Sequence, residues 1–151
     1  MGRLWLCGKH FIGPDPEAAI EHTNADVVVC LNEEHELMDR YPDYVDWLKR
    51  AGDRAIWFPV HDMHAPPLAA MLGLLDRLRY RLEQGDTLLV HCGAGIGRAG
   101  TTAAATLLAL GSSRAEALSV VASSRPMAGP ESGPQQALIV ELADHFGSRR
   151  P

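Results

Sequence analysis

Apolar positions in this chain come first in short unbroken runs and later in stripes at helical spacing. Leu4–Cys7 predicts a short strand, and Ala25–Leu31 is a β-branched run of the kind that fills a sheet covered on both faces. Ala55–Val60 and Thr87–His91 add two further strands. Between them Asp15 offers an N-cap, with Pro16 at the first helical position of a helix over Pro16–His22. Glu34–Arg40 and Asp43–Arg50 read as two short helices broken at Tyr41-Pro42. Leu68–Gln84 gives the clearest helix, because Leu68, Met71, Leu72, Leu75, Leu78 and Leu82 share one face. Ala99–Leu110 is helical too. Ser113-Arg114-Ala115-Glu116 is a capping box that opens another helix, and a last one follows near Pro134–Phe146. Alternating strands and helices, then helices alone, predict a three-layer α/β/α fold around a mostly parallel sheet of four to five strands.

Composition narrows the possibilities. At 151 residues the chain is read as one domain, 1–151, long enough to bury a core without a disulfide or metal staple. Hydrophobic residues make up 46% and charged residues 22%, which excludes a disordered chain. With 14 Lys+Arg against 19 Asp+Glu, the net charge of −5 argues against nucleic acid and anionic membrane surfaces as partners. Cys7, Cys30 and Cys92 are odd in number and widely spaced, which fits a reduced, cytoplasmic protein and no zinc site. Met1–Cys7 is too short an apolar run for a signal peptide, and no run approaches a membrane span.

One segment carries chemistry: His91-Cys92-Gly93-Ala94-Gly95-Ile96-Gly97-Arg98-Ala99-Gly100-Thr101. A buried strand ends at Cys92 and a helix starts about five residues later. The three glycines between them let successive N–H groups turn inward as an anion-binding nest at a helix N-terminus. A thiol facing such amides and a guanidinium is favoured as the thiolate, the nucleophilic form. The same cradle suits the oxygens of a phosphoryl group, two of which Arg98 can grip at once. Nucleophile and oxyanion stabilisation then come from one loop.

Cys-x5-Arg after His91 and before Gly100-Thr101 resembles the signature of cysteine-dependent protein tyrosine phosphatases. The layout is similar to the small dual-specificity branch, including the kinase-associated phosphatases, from about Ile12 to Phe146. The resemblance implies that fold, and a phosphocysteine intermediate formed at Cys92 with the oxygens held by Arg98 and the loop Gly93, Ala94, Gly95, Ile96 and Gly97. It implies a general acid on a separate loop about 30 residues upstream of the cysteine. Asp62, in Phe58-Pro59-Val60-His61-Asp62-Met63-His64, stands there (92 − 62 = 30). It also implies a glutamine that positions the hydrolytic water downstream of an Arg-Pro pair. Here these are Arg125-Pro126 and Gln135, with Gln136 in reserve. His91 is assigned a supporting role, orienting Cys92. No metal or cofactor is expected, and the implied substrate is a phosphorylated protein or peptide acted on by a monomer. Phosphotyrosine is the first candidate, with phosphoserine and phosphothreonine behind it.

Ala99 departs from the pattern, since the family has Ser or Thr there to hydrogen-bond the departing thiolate. One lost bond to a charged group is worth roughly 1.5–3 kcal/mol, or about 10–100-fold in the breakdown step. A phosphate-binding module with weak turnover is therefore the alternative reading. Thr101 compensates only if its side chain reaches back to the sulfur. Gly95-x-Gly97-x-x-Gly100 also matches a dinucleotide fingerprint, but about 20 residues on the chain has Leu118–Ser123, a helix without an acid. Rhodanese-like sulfur transfer explains neither the Asp62 loop nor the tail around Gln135. His61 and His64 are read as surface histidines, and Cys7 and Cys30 as packed thiols.

Overall fold

The computed structural model describes residues 1–149. The chain runs β1 (Arg3–Gly8), α1 (Lys9–Ile12), α2 (Pro16–Thr23), β2 (Val27–Cys30), α3 (Glu34–Met38), α4 (Pro42–Arg50), a 3-10 turn at Gly52–Arg54, β3 (Ala55–Trp57), α5 (Leu68–Glu83), β4 (Thr87–Cys92), α6 (Gly97–Ala109), α7 (Arg114–Ser124) and α8 (Gly133–Gly147). The expected α/β architecture is present, with a sheet of four strands, all parallel, in the order β1-β4-β2-β3.

Each face of the sheet has its own core. Val27, Val29, Leu88 and Val90 pack with the apolar stripe of α5, with α6 and with α8. Val28, Cys30 and Leu89 face the other way, against Ile12, Leu37, Tyr44 and Trp47. The alternation within β2 and β4 explains why these strands read as continuous apolar runs. Tyr41, Tyr44 and Trp47 are accordingly packing residues of this second layer.

Local rules set most element ends. Asp15 accepts from the Ala18 N–H at 3.1 Å and caps α2. Ser113 and Glu116 close the capping box of α7 from both directions. Several element ends shift by a residue or two, as in β1, β2 and α3, and three larger differences stand out. Strand β3 stops at Trp57, because beyond it the chain leaves the sheet for the loop that carries Asp62. Helix α6 starts at Gly97, placing Arg98 within its first turn. A one-turn helix, α1, follows β1 directly and is too short to show a periodic pattern.

Candidate active site

With every strand parallel, the C-terminal ends of β1 to β4 open on the same edge of the sheet. Beta-2 and beta-4 are neighbours in the interior of the sheet, so the loops that leave them meet there. The loop after β4 is the phosphate loop. Cys92, 3% exposed, closes the strand, and its Sγ accepts a hydrogen bond from the backbone N–H of Ala99 at 3.4 Å. The sulfur thus faces the start of α6. Gly95 has φ +75°, and a Cβ there would collide with the Cys7 carbonyl, so the loop demands glycine at that turn. From behind, the Lys9 N–H donates to the Gly93 carbonyl at 2.9 Å and Arg125 Nη2 donates to the Ala94 carbonyl at 2.8 Å. Ile96 is the N-cap residue of α6, and its carbonyl accepts from the N–H groups of Gly100 and Gly129.

Arg98 is 5% exposed and fixed on three sides. Nη1 and Nη2 each donate to one carboxylate oxygen of Glu36 at 2.8 Å, a planar fork, while Nη1 also reaches the Val60 carbonyl at 2.8 Å. Its Nε has no partner among the described residues. Burial works against ionisation of Glu36, but the bonds from Arg98, from the Glu33 N–H and from Asn32 prevail and bring its pKa to about 2. The carboxylate is therefore anionic throughout the working range and holds the guanidinium in one orientation. Glu36 was not legible as a site residue. Its only sequence signal was the Glu33-x-x-Glu36 capping box immediately after β2.

The acid loop closes over this pair. Asp62 lies at the rim, 65% exposed at its side chain, with Oδ1 3.5 Å from Arg98 Nη2 and accepting the Met63 N–H at 3.0 Å. Met63 has φ +65°, a left-handed conformation unusual outside glycine. Two bonds from the start of α8 hold this turn. Ser132 Oγ donates to the Met63 carbonyl at 2.6 Å, and Gln135 Nε2 donates to the His64 carbonyl at 3.3 Å. Gln135 is 1% exposed, and its Oε1 accepts the Glu131 N–H at 2.9 Å. Its carboxamide therefore joins two loops rather than standing open in the cup. Glu131 lies over Gly97, where an added Cβ would strike its carboxylate. His61 and His64 are exposed, with ring centroids 4.7 Å apart, and His61 Nδ1 is 2.6 Å from Glu33.

His91 lies wholly buried beneath the loop. The Cys92 carbonyl, 3.4 Å from Nδ1, can only accept, so Nδ1 carries the proton. Nε2 then accepts from the Tyr44 hydroxyl at 2.6 Å. Burial, more than the nearby Arg98 charge, lowers the His91 pKa to about 4. The ring is a neutral, buried strut between Tyr44 and the Cys92 carbonyl. Burial also raises the thiols of Cys7 and Cys30 to about 12, leaving both protonated and inert. Cys92, Arg98 and Asp62 are thus brought together, and Gln135 reaches the acid loop. Thr101 does not reach the sulfur: its hydroxyl is buried and unpartnered among the described residues.

The chain that builds this cup is similar to known proteins. Residues 16–137 match the family model of the Swiss Army Knife protein tyrosine phosphatases, described as a dual-specificity-type phosphatase domain. The chain belongs to this family. No curated protein matches it by sequence. Among solved structures, Tk-PTP in its active form is similar at 28% identity and a TM-score of 0.74, covering 95% of this chain and 93% of that one. Human DUSP28 aligns at 19% identity and a TM-score of 0.75, covering 97% and 95%. Kinase-associated phosphatase carrying a catalytic cysteine-to-serine substitution aligns at 20% and 0.73, covering 88% and 76%. The last two show the fold. No helix among the described residues is long and apolar enough to cross a membrane.

Proposed function

We propose that this dual-specificity-type phosphatase hydrolyses phosphotyrosine monoesters in proteins or peptides, with phosphoserine and phosphothreonine esters as further substrates, through a phosphocysteine intermediate. The observation that carries the reading is the fixed Cys92–Arg98–Asp62 arrangement, with Sγ on the Ala99 N–H and the guanidinium forked onto Glu36. Cys92 thiolate attacks phosphorus in line. The bond to the leaving oxygen breaks as Asp62 donates its proton to that oxygen, and Arg98 with the amides of Gly93–Gly97 holds the equatorial oxygens. A water then attacks phosphorus, Asp62 carboxylate takes its proton, and the sulfur departs onto the Ala99 N–H. Gln135 is the residue assigned to orient that water. To do so it must release the His64 carbonyl, so in the resting enzyme it holds the acid loop.

The loop between Cys92 and Arg98 carries no lysine, and the acids Asp62 and Glu131 stand at its edge. That charge pattern favours phosphopeptides over polyanionic lipid head groups. The free, buried thiols of Cys7 and Cys30 suit a reducing, cytoplasmic setting. Cys92→Ser should lower hydrolysis of an aryl phosphate by roughly 10³-fold or more. Survival of turnover would overturn the mechanism. Ala99 supports a second reading, a phosphate-binding module with weak turnover. Pre-steady-state kinetics separate the two: a slow enzyme releases a burst of alcohol, and a binder releases none.

A further inference from the structure

Between the end of β2 and the start of α3 stands a side chain to which the chemistry above gives no part. Asn32 is fully buried, and its carbonyl accepts the Trp57 indole N–H at 2.8 Å. The turn itself does not call for asparagine. Asn32 does not take the left-handed conformation that Asn24 takes, with φ 54°, at the end of α2. Its carboxamide is only half satisfied: Nδ2 donates to Glu36 Oε1 at 3.0 Å, while Oδ1 is buried without a partner among the described residues. A buried carbonyl oxygen left unmet costs stability, and a leucine of the same branched outline would not carry that cost. Packing therefore does not account for the residue, and the bond from Nδ2 does.

That bond falls where it has most leverage. Each carboxylate oxygen of Glu36 accepts twice. Oε2 takes the Glu33 N–H at 2.7 Å and Arg98 Nη1 at 2.8 Å, and Oε1 takes Asn32 Nδ2 at 3.0 Å and Arg98 Nη2 at 2.8 Å. Glu33 alone would pin one oxygen and leave the carboxylate free to turn about it. With Asn32 on the other oxygen, two points fix the carboxylate plane, and the guanidinium must lie in that plane to keep both of its bonds. An arginine held so before a phosphoryl group arrives needs no reordering in the transition state.

We propose that Asn32 is a positioning residue of the phosphatase reaction, acting through Glu36 to orient Arg98 and so to set the affinity of the cup for tetrahedral oxyanions. It touches neither the substrate nor the reacting atoms. For its effect on turnover the inference rests on the phosphatase reading, but its effect on oxyanion binding is measured without turnover.

Two variants of the full chain test it, with tungstate as the oxyanion probe. Asn32→Leu removes the donor and the unmet oxygen together. Its melting temperature should stay within about 3 °C of wild type, while tungstate binding at pH 7 weakens about tenfold and kcat/KM for an aryl phosphate falls by a similar factor. Unchanged tungstate affinity would overturn the proposal. Asn32→Asp gives a readout that a merely structural role would not move. In acid, one proton shared between the new carboxylate and Glu36 keeps a donated bond, whereas at higher pH two like charges face each other and the fork is lost. The other charged or titratable groups around Glu36 are Arg98 on α6, Lys9 on α1, His91 on β4, Cys30 on β2 and Glu33. They are common to both proteins, so the ratio of variant to wild type isolates the new pair. That ratio of kcat/KM should rise at least about fivefold from pH 8 to pH 5, and a ratio independent of pH would overturn the proposal even if Asn32→Leu failed to fold. A wild type that binds tungstate but hydrolyses no phosphate ester would sink the functional reading alone, and tungstate affinity in the variants would still decide the role of Asn32.

Discussion

Ala99 places a methyl group where the phosphatase resemblance implies a hydroxyl against the sulfur, and its backbone N–H contacts Sγ. Introducing the hydroxyl by Ala99→Ser is expected to accelerate phosphoenzyme breakdown about tenfold, the worth of one bond to a charged group. Burst and steady-state rates of aryl phosphate hydrolysis report it directly; an unchanged steady state would mean that another step limits turnover. Glu36 works from the opposite wall. Glu36→Gln keeps the shape but removes the charge that Arg98 is forked onto, leaving a buried cation uncompensated. Losses of about 3 kcal/mol in stability and of roughly 10–100-fold in kcat/KM are expected. Thermal unfolding measured beside kinetics separates the two effects.

At the scale of elements, the site is made by loops that rigid neighbours hold. Helix α8 does this for the acid loop. Ser132 caps the helix, accepting from the Gln135 N–H at 3.4 Å, and with the same hydroxyl binds the Met63 carbonyl next to Asp62. Removing that hydroxyl frees the strained turn at Met63. Ser132→Ala should therefore lower kcat by about tenfold for alkyl or poor aryl leaving groups, which need a proton from Asp62. It should change little for an activated aryl ester. Ser132→Thr keeps a hydroxyl and should restore the lost rate. A uniform loss across leaving groups would point to simple loss of the helix cap, worth about 1 kcal/mol.

Across the whole molecule, acid acts on buried groups beside the loop. The folded pKa of His91 is depressed by burial from 6.5 to about 4, so the unfolded chain binds the extra proton first as pH falls. Stability is thus complete above about pH 6.5 and is lost progressively down to about pH 4, by at most about 3 kcal/mol from this ring. Glu36 is also depressed, from 4.5 to about 2, and its contribution is lost in turn below about pH 4.5. Melting temperature followed from pH 7 to pH 4 should fall with this slope. His91→Gln, which has no proton to gain, should flatten the segment above about pH 4.5. A wild-type curve flat over that range would refute the account.

What the sequence determined by itself is local. Glycine spacing, the strand before Cys92, the caps at Asp15 and Ser113 and the apolar stripe of Leu68–Glu83 are each short-range preferences written into adjacent residues. They set the elements and the phosphate loop, and the resemblance to the phosphatase family singled out Asp62. The tertiary structure alone decided the pairings across long separations. Glu36 meets Arg98 because β2 lies beside β4 in the sheet, and no periodicity encodes which strands are neighbours. Ser132 and Gln135 meet the acid loop only because α8 returns over it.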